Sequence, residues 1–86
     1  MHELSVAMEI CRLAEASAGA AGPAAVRLVA VDVGEEAGVE PESLTFCLET
    51  LLASPPFGAA RPQLNRMPGD TLRVAWLEVD DGRPDD

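Results

Sequence analysis

Histidine occurs once in this chain, at position 2, directly after Met1. A terminal amine at Met1, the amide nitrogen of His2 and the imidazole of His2 can close fused chelate rings around one ion. The amide nitrogen of Glu3 can supply a fourth donor. Four nitrogens in a plane suit square-planar Ni(II) or Cu(II). The residues that follow read as a helix, and the first amides of a helix have no partner within it, so a metal can take them without breaking a ladder. The positive end of a helix repels a cation. Loss of the amide protons offsets that repulsion, so binding should release protons and weaken as pH falls. The Glu3 carboxylate is near enough in sequence to ligate as well, or to orient the imidazole. Against this stands the plain reading of a histidine beside a terminus, a solvated side chain with no role.

No other group of residues competes as a chemical centre. Cys11 and Cys47 fall on the apolar stripes of their predicted helices and read as small buried hydrophobes. Asp32, Glu35 and Glu36 read as a solvated strand end, and Glu78, Asp80 and Asp81 as a charged edge. No glycine-rich segment precedes a helix that could receive a phosphate. With no tyrosine, no lysine and a single histidine, no acid–base pair or activated nucleophile is available, so the chain does not read as an enzyme.

The 86 residues hold at most one small domain. Six arginines against 15 carboxylates give a net charge of −9. That excludes a phosphate-backbone or anionic-lipid binder, since both need cationic side chains to displace counterions. A hydrophobic content of 48% excludes a disordered acidic tail. The longest uncharged runs, Ala16–Val26 and Thr50–Ala60, have 11 residues each. A bilayer span needs about 18 or more. Two cysteines without a CxxC make neither a disulfide framework nor a structural zinc site. Without a basic N-terminal stretch, the expected setting is the reducing cytoplasm.

The elements that would position His2 follow from patterning. Residues 3 to about 18 read as a helix with a wide apolar arc, expected to be covered on more than one side. Val26–Val33 is rich in β-branched residues and reads as a central strand. Pro41 opens a second helix whose buried stripe is Leu44, Cys47, Leu48, Leu51 and Leu52. Arg61–Met67 is a weak edge-strand candidate because of Pro62. Thr71–Val79 is a strong strand, with Leu72, Val74 and Trp76 on one face and a bulge near Trp76–Leu77 where the alternation breaks. The expected fold is α+β: two helices packed on one face of a three-stranded mixed β-sheet, in the order helix-strand-helix-strand-strand. The first two strands should be parallel, and the last two an antiparallel hairpin turning at Met67-Pro68-Gly69-Asp70. Residues 1–80 form the domain and 81–86 an acidic flexible tail. The second sheet face is left open, which suggests a homodimer in which another copy covers it.

The same residues carry a resemblance. Met1–Ser5 reads MHELS, Val31–Leu52 reads VDVGEEAGVEPESLTFCLETLL, and Gly69–Val79 reads GDTLRVAWLEV. In this order the three blocks resemble the nickel-binding lobe of the HypA/HybF hydrogenase nickel-incorporation proteins. The resemblance implies a nickel metallochaperone or accessory protein for [NiFe]-hydrogenase maturation, with the hydrogenase large subunit and a HypB-like GTPase as partners. It implies Ni(II) at His2, with Met1 and Glu3 supplying backbone or side-chain donors. Family members carry a zinc lobe with two CxxC pairs between the last two strands. Here Met67–Asp70 fills that place, so no zinc is expected. The alternative is an interaction module in hydrogenase maturation that has lost metal delivery along with the zinc lobe.

Overall fold

The computed structural model describes residues 2–80; Met1 and residues 81–86, where the acidic tail was expected, lie outside the described residues. Helix α1 spans His2–Ser17 and helix α2 spans Pro41–Leu52. The strands are β1 (Val26–Gly34), β2 (Arg61–Met67) and β3 (Leu72–Val79). Helix α1 stops where Gly19 takes a φ of +63°, a conformation that a side chain disfavours. At α2, Glu40 is the N-cap and Pro41 the first helical residue, where proline has no amide to waste.

The hydrophobic core lies between both helices and one face of the sheet. Ala7, Ile10 and Ala14 from α1, with Ala18 just beyond it, meet Leu44, Leu48 and Leu52 from α2 over Val29, Val31 and Val33 of β1. The three leucines are fully buried, each stabilising the fold by about 1.5–3 kcal/mol. Alanine at two of the three buried α1 positions, Ala7 and Ala14, lets that helix approach closely. As expected, the wide apolar arc of α1 is covered on more than one side, by α2 and by β3, although Leu4, Met8 and Leu13 stay exposed.

The strand order is β2-β1-β3. As expected, β1 is central and runs parallel to β2. The expected β2–β3 hairpin does not form; β3 pairs antiparallel with β1 instead. The connection must therefore cross the end of β1, two strand spacings or about 9.5 Å, and residues 68–71 reach about 13 Å when extended. The crossing rests on Gly34. Its amide donates to Thr71 O at 2.6 Å, Glu35 N donates to Met67 O at 2.8 Å, and Glu36 N donates to Gly69 O at 2.8 Å. A Cβ at Gly34 would overlap Gly69 O and lie 2.7 Å from both Gly69 C and Thr71 N. Turn residues at 67–70 are common to a hairpin and to this crossing, so local chemistry could not separate them.

The β1–β3 register shifts between Ala30, opposite Trp76, and Val31, opposite Val74. Ala75 is thus the extra residue, one position before the expected bulge. Its consequence is that Val74 and Leu77, three residues apart, both pack on the core, together with Val79. Trp76 does not share a face with Leu72 and Val74, as simple alternation had suggested. It lies on the open face, 48% exposed. That face carries a hydrogen-bonded ladder across the sheet. Gln63 donates to Asn65 at 3.1 Å, Asn65 to Asp32 Oδ1 at 3.2 Å, and Arg73 to Asp32 Oδ2 at 3.0 Å. Alongside Leu28, Ala30, Met67 and Trp76 it is lined by polar side chains, and so it is compatible with water.

Candidate metal centre

Helices α1 and α2 bring their N-termini together, and the contact is made by Glu3. Its carboxylate Oε2 accepts the Glu40 amide at 3.0 Å, while the Glu40 carboxylate accepts the Ser43 amide at 2.9 Å. Two orphan donors, one before and one within the first turn of α2, are thereby satisfied from two helices. Glu3 is sheltered, with its side chain 14% exposed, whereas the His2 side chain is 57% exposed. The His2 Nδ1 lies 3.6 Å from Glu3 Oε2. This is within ion-pair reach when the ring is charged, and too long for a hydrogen bond. The Glu40 amide chiefly holds the Glu3 carboxyl below its ordinary value, against the raising effect of partial burial; the His2 ring lowers it further. The Ser43 amide likewise lowers Glu40.

His2 also stands at one end of an open groove of about 290 Å³ between α1 and β3. Val6, Ile10, Leu13, Leu72 and Val74 form its walls, with Glu9 and Arg73 at the rim. The ring is therefore supported on an apolar wall and open to solvent on its other side.

Of the residues expected at the centre, the structure brings His2 and Glu3 together; Met1 lies outside the described residues. Among the described residues no three His, Cys, Asp or Glu side chains gather into a cluster fit for a metal. A metal here would rely on backbone nitrogens, and the first-turn amides of α1 suit that role, having no carbonyl four residues back. Glu3 is not a free ligand, since Glu40 occupies one of its oxygens. Its part is to tie α1 to α2 beside the imidazole. Sequence reasoning missed Glu40. The available signal was its place directly before Pro41, three residues ahead of Ser43, where a carboxylate can cap.

The other candidates take plain roles. Cys11 and Cys47 are free and half-buried, and burial pushes the Cys11 thiol up. Asp32 is not part of a solvated strand end. It is buried, and its hydrogen bonds from Arg73 and Asn65 lower its carboxyl. Glu35 and Glu36 are exposed beyond it. Among the described residues no helix is long and apolar enough to cross a membrane.

Comparison with known proteins places this arrangement in context. A family profile described as hydrogenase/urease nickel incorporation, metallochaperone, HypA, matches residues 1–74. A hydrogenase maturation factor HypA from Streptomyces avermitilis is 43% identical over 70 residues, covering 80% of this chain and 53% of that protein. A protein of the same name from Albidiferax ferrireducens is 32% identical over 79 residues, covering 92% of this chain and 70% of that protein. A third, from Chlorobium luteolum, is 43% identical over 47 residues, covering 55% of this chain and 40% of that protein. The chain thus matches about half the length of the first of these relatives.

Proposed function

The chain belongs to the HypA family of hydrogenase/urease nickel-incorporation metallochaperones, and on that footing we propose that it carries Ni(II) as cargo during [NiFe]-hydrogenase maturation and hands it to the large subunit. The observation that supports the reading is an exposed imidazole on the first turn of α1, beside amides that have no helical partner. The amine of Met1, the amides of His2 and Glu3 and the His2 ring make up the proposed donor set. An open, square-planar set of nitrogens at a chain end can be approached by an acceptor from above and below, which suits transfer. Glu3 holds the turn against α2 and keeps a negative charge beside the cation. The hydrogenase large subunit is the proposed acceptor, and a HypB-like GTPase the proposed co-factor protein, in the cytoplasm. The role is carriage and needs no turnover.

The test is titration of Ni(II) into protein with its native, untagged N-terminus. A square-planar d–d absorption is expected for the wild type and not for His2→Ala. Equal spectra for the two proteins would refute the nickel role. Given the short β2–β3 crossing, we propose further that the carrier works without zinc. Zinc bound stoichiometrically to protein purified without added metal would refute that.

One observation favours a second reading, an interaction module without metal. Glu3 is already committed to the Glu40 amide, so the Met-His-Glu start has a structural use of its own. Under that reading His2→Ala leaves both partner capture and hydrogenase activity in cells unchanged; loss of activity with capture intact refutes it.

A further inference from the structure

Strand β3 has β1 on one side only, so half of its backbone hydrogen-bonding groups face outward along an eight-residue edge. The open groove between α1 and β3 runs beside that edge, and Leu13 and Leu72 in its walls are 39% and 37% exposed. What this edge can accept follows from the order in which its residues face. The bulge at Ala75 makes that order symmetric. Leu72, Val74, Leu77 and Val79 turn to the helix side. Arg73, opposite Asp32, and Glu78, opposite Leu28, turn to the open face, as does Trp76 opposite Ala30. The facing pattern is therefore the same read from Leu72 forward or from Val79 backward.

We propose that this edge is an interface for a second copy of the chain, whose β3 pairs antiparallel with it about a two-fold axis between Ala75 and Trp76. In that register Leu72 lies opposite Val79 of the second copy, and Val74 opposite its Leu77, so apolar residues meet on the helix side. Arg73 lies opposite Glu78 of the second copy, and Glu78 opposite its Arg73, so each dimer gains two opposite-charge cross-strand pairs. Ala75 lies opposite the large Trp76 ring of the second copy, which leaves that ring room. A two-fold axis perpendicular to the sheet keeps all four helices on one face and sets the β3 side of each groove, Leu72 and Val74, beside Val79 and Leu77 of the second copy. It also makes a closed dimer in which both β3 edges are used, leaving only the two outer β2 edges, each carrying Pro62. The charge pairing selects the second copy over an unrelated strand, because it is reciprocal within β3 itself. The proposal is independent of the nickel reading and differs from covering the open sheet face, which is polar.

The test is sedimentation equilibrium of the full chain at about 0.15 M salt, where repulsion between two chains of −9 is screened beyond about 8 Å. The wild type is expected to show a concentration-dependent dimer. Arg73→Glu alone and Glu78→Arg alone each place like charges opposite one another twice, and each should weaken the dimer roughly tenfold or more. Mixed together they regain both opposite-charge pairs, and a heterodimer should form. A wild type that is monomeric at every concentration overturns the proposal. So does a dimer indifferent to both substitutions, or a mixture that fails to recombine. Arg73 also pairs with Asp32, so a wild-type measurement stands beside the variants. Hydrogen exchange at high against low concentration should slow β3 amides and leave β2 amides unchanged; the reverse pattern overturns the interface.

Discussion

Replacing Gly34 by alanine tests whether the crossing of β1 holds the sheet together. The backbone at Gly34 is not in a left-handed conformation, so alanine is not strained by its own dihedrals. The difficulty is contact. The new Cβ would overlap Gly69 O and sit 2.7 Å from Gly69 C and Thr71 N. All of these are backbone atoms, which cannot rotate away. The 68–71 connection must lift, and the bonds from Gly34, Glu35 and Glu36 to Thr71, Met67 and Gly69 lengthen or break together. Three such bonds at about 1 kcal/mol each amount to roughly 3 kcal/mol. Reduced freedom of the unfolded chain returns about 0.4–1 kcal/mol. The net loss, about 2–2.5 kcal/mol, should lower Tm by roughly 10–20 °C in a domain of this size. Circular dichroism melts of wild type, Gly34→Ala and Gly58→Ala provide the assay. At Gly58 a Cβ would meet only Ala24 O, at 3.2 Å, so that variant should melt within about 5 °C of wild type. A Gly34→Ala protein melting within about 3 °C of wild type would show that the crossing is slack, and the reasoning would be wrong.

Leu48→Ala empties a fully buried core position and should cost about 2–5 kcal/mol in denaturant unfolding; a loss under about 1 kcal/mol would mean the helices settle into the gap. The carboxyls of Glu3 and Glu40 are held below 4.5 and that of Asp32 below 3.8. Each binds fewer protons folded than unfolded, so their stabilisation is complete above about pH 5 and is lost as pH falls through the lowered values. Tm should therefore be level above about pH 5 and fall below it, and Glu3→Gln with Asp32→Asn should flatten the fall; an unchanged slope would count against both contacts. Burial of the Cys11 thiol predicts alkylation at pH 8 slower than for a free cysteine, with the difference gone in denaturant; equal rates in the folded protein would contradict it. Nickel binding through deprotonated amides should release protons and weaken as pH is lowered, and a pH-independent affinity would rule out amide ligation.

Much of this molecule was legible from the order of its residues alone. Pro41 marked the start of α2, the valines of β1 marked a central strand, and the position of His2 marked the one candidate for metal chemistry. These signals are local: a helix start, a periodicity or a chelate needs only neighbours in the chain. Even the two helices over a mixed sheet followed from element order and the parallel β1–β2 crossover. What tertiary structure decided was which residues distant in sequence meet. Gly34 closes on Gly69, which turns an expected hairpin into a crossing and puts β3 on the far side of β1. Ala75 absorbs the register, which sends Trp76 outward and makes β3 symmetric. Glu3 finds the Glu40 amide 37 residues on, which changes it from a free ligand to a tie between helices. None of these follows from periodicity, because a turn, a bulge or a carboxylate is compatible with several partners. The choice among partners is made by the packing of Val31 and Val33 beneath two helices, the arrangement that buries them against Leu44, Leu48 and Leu52.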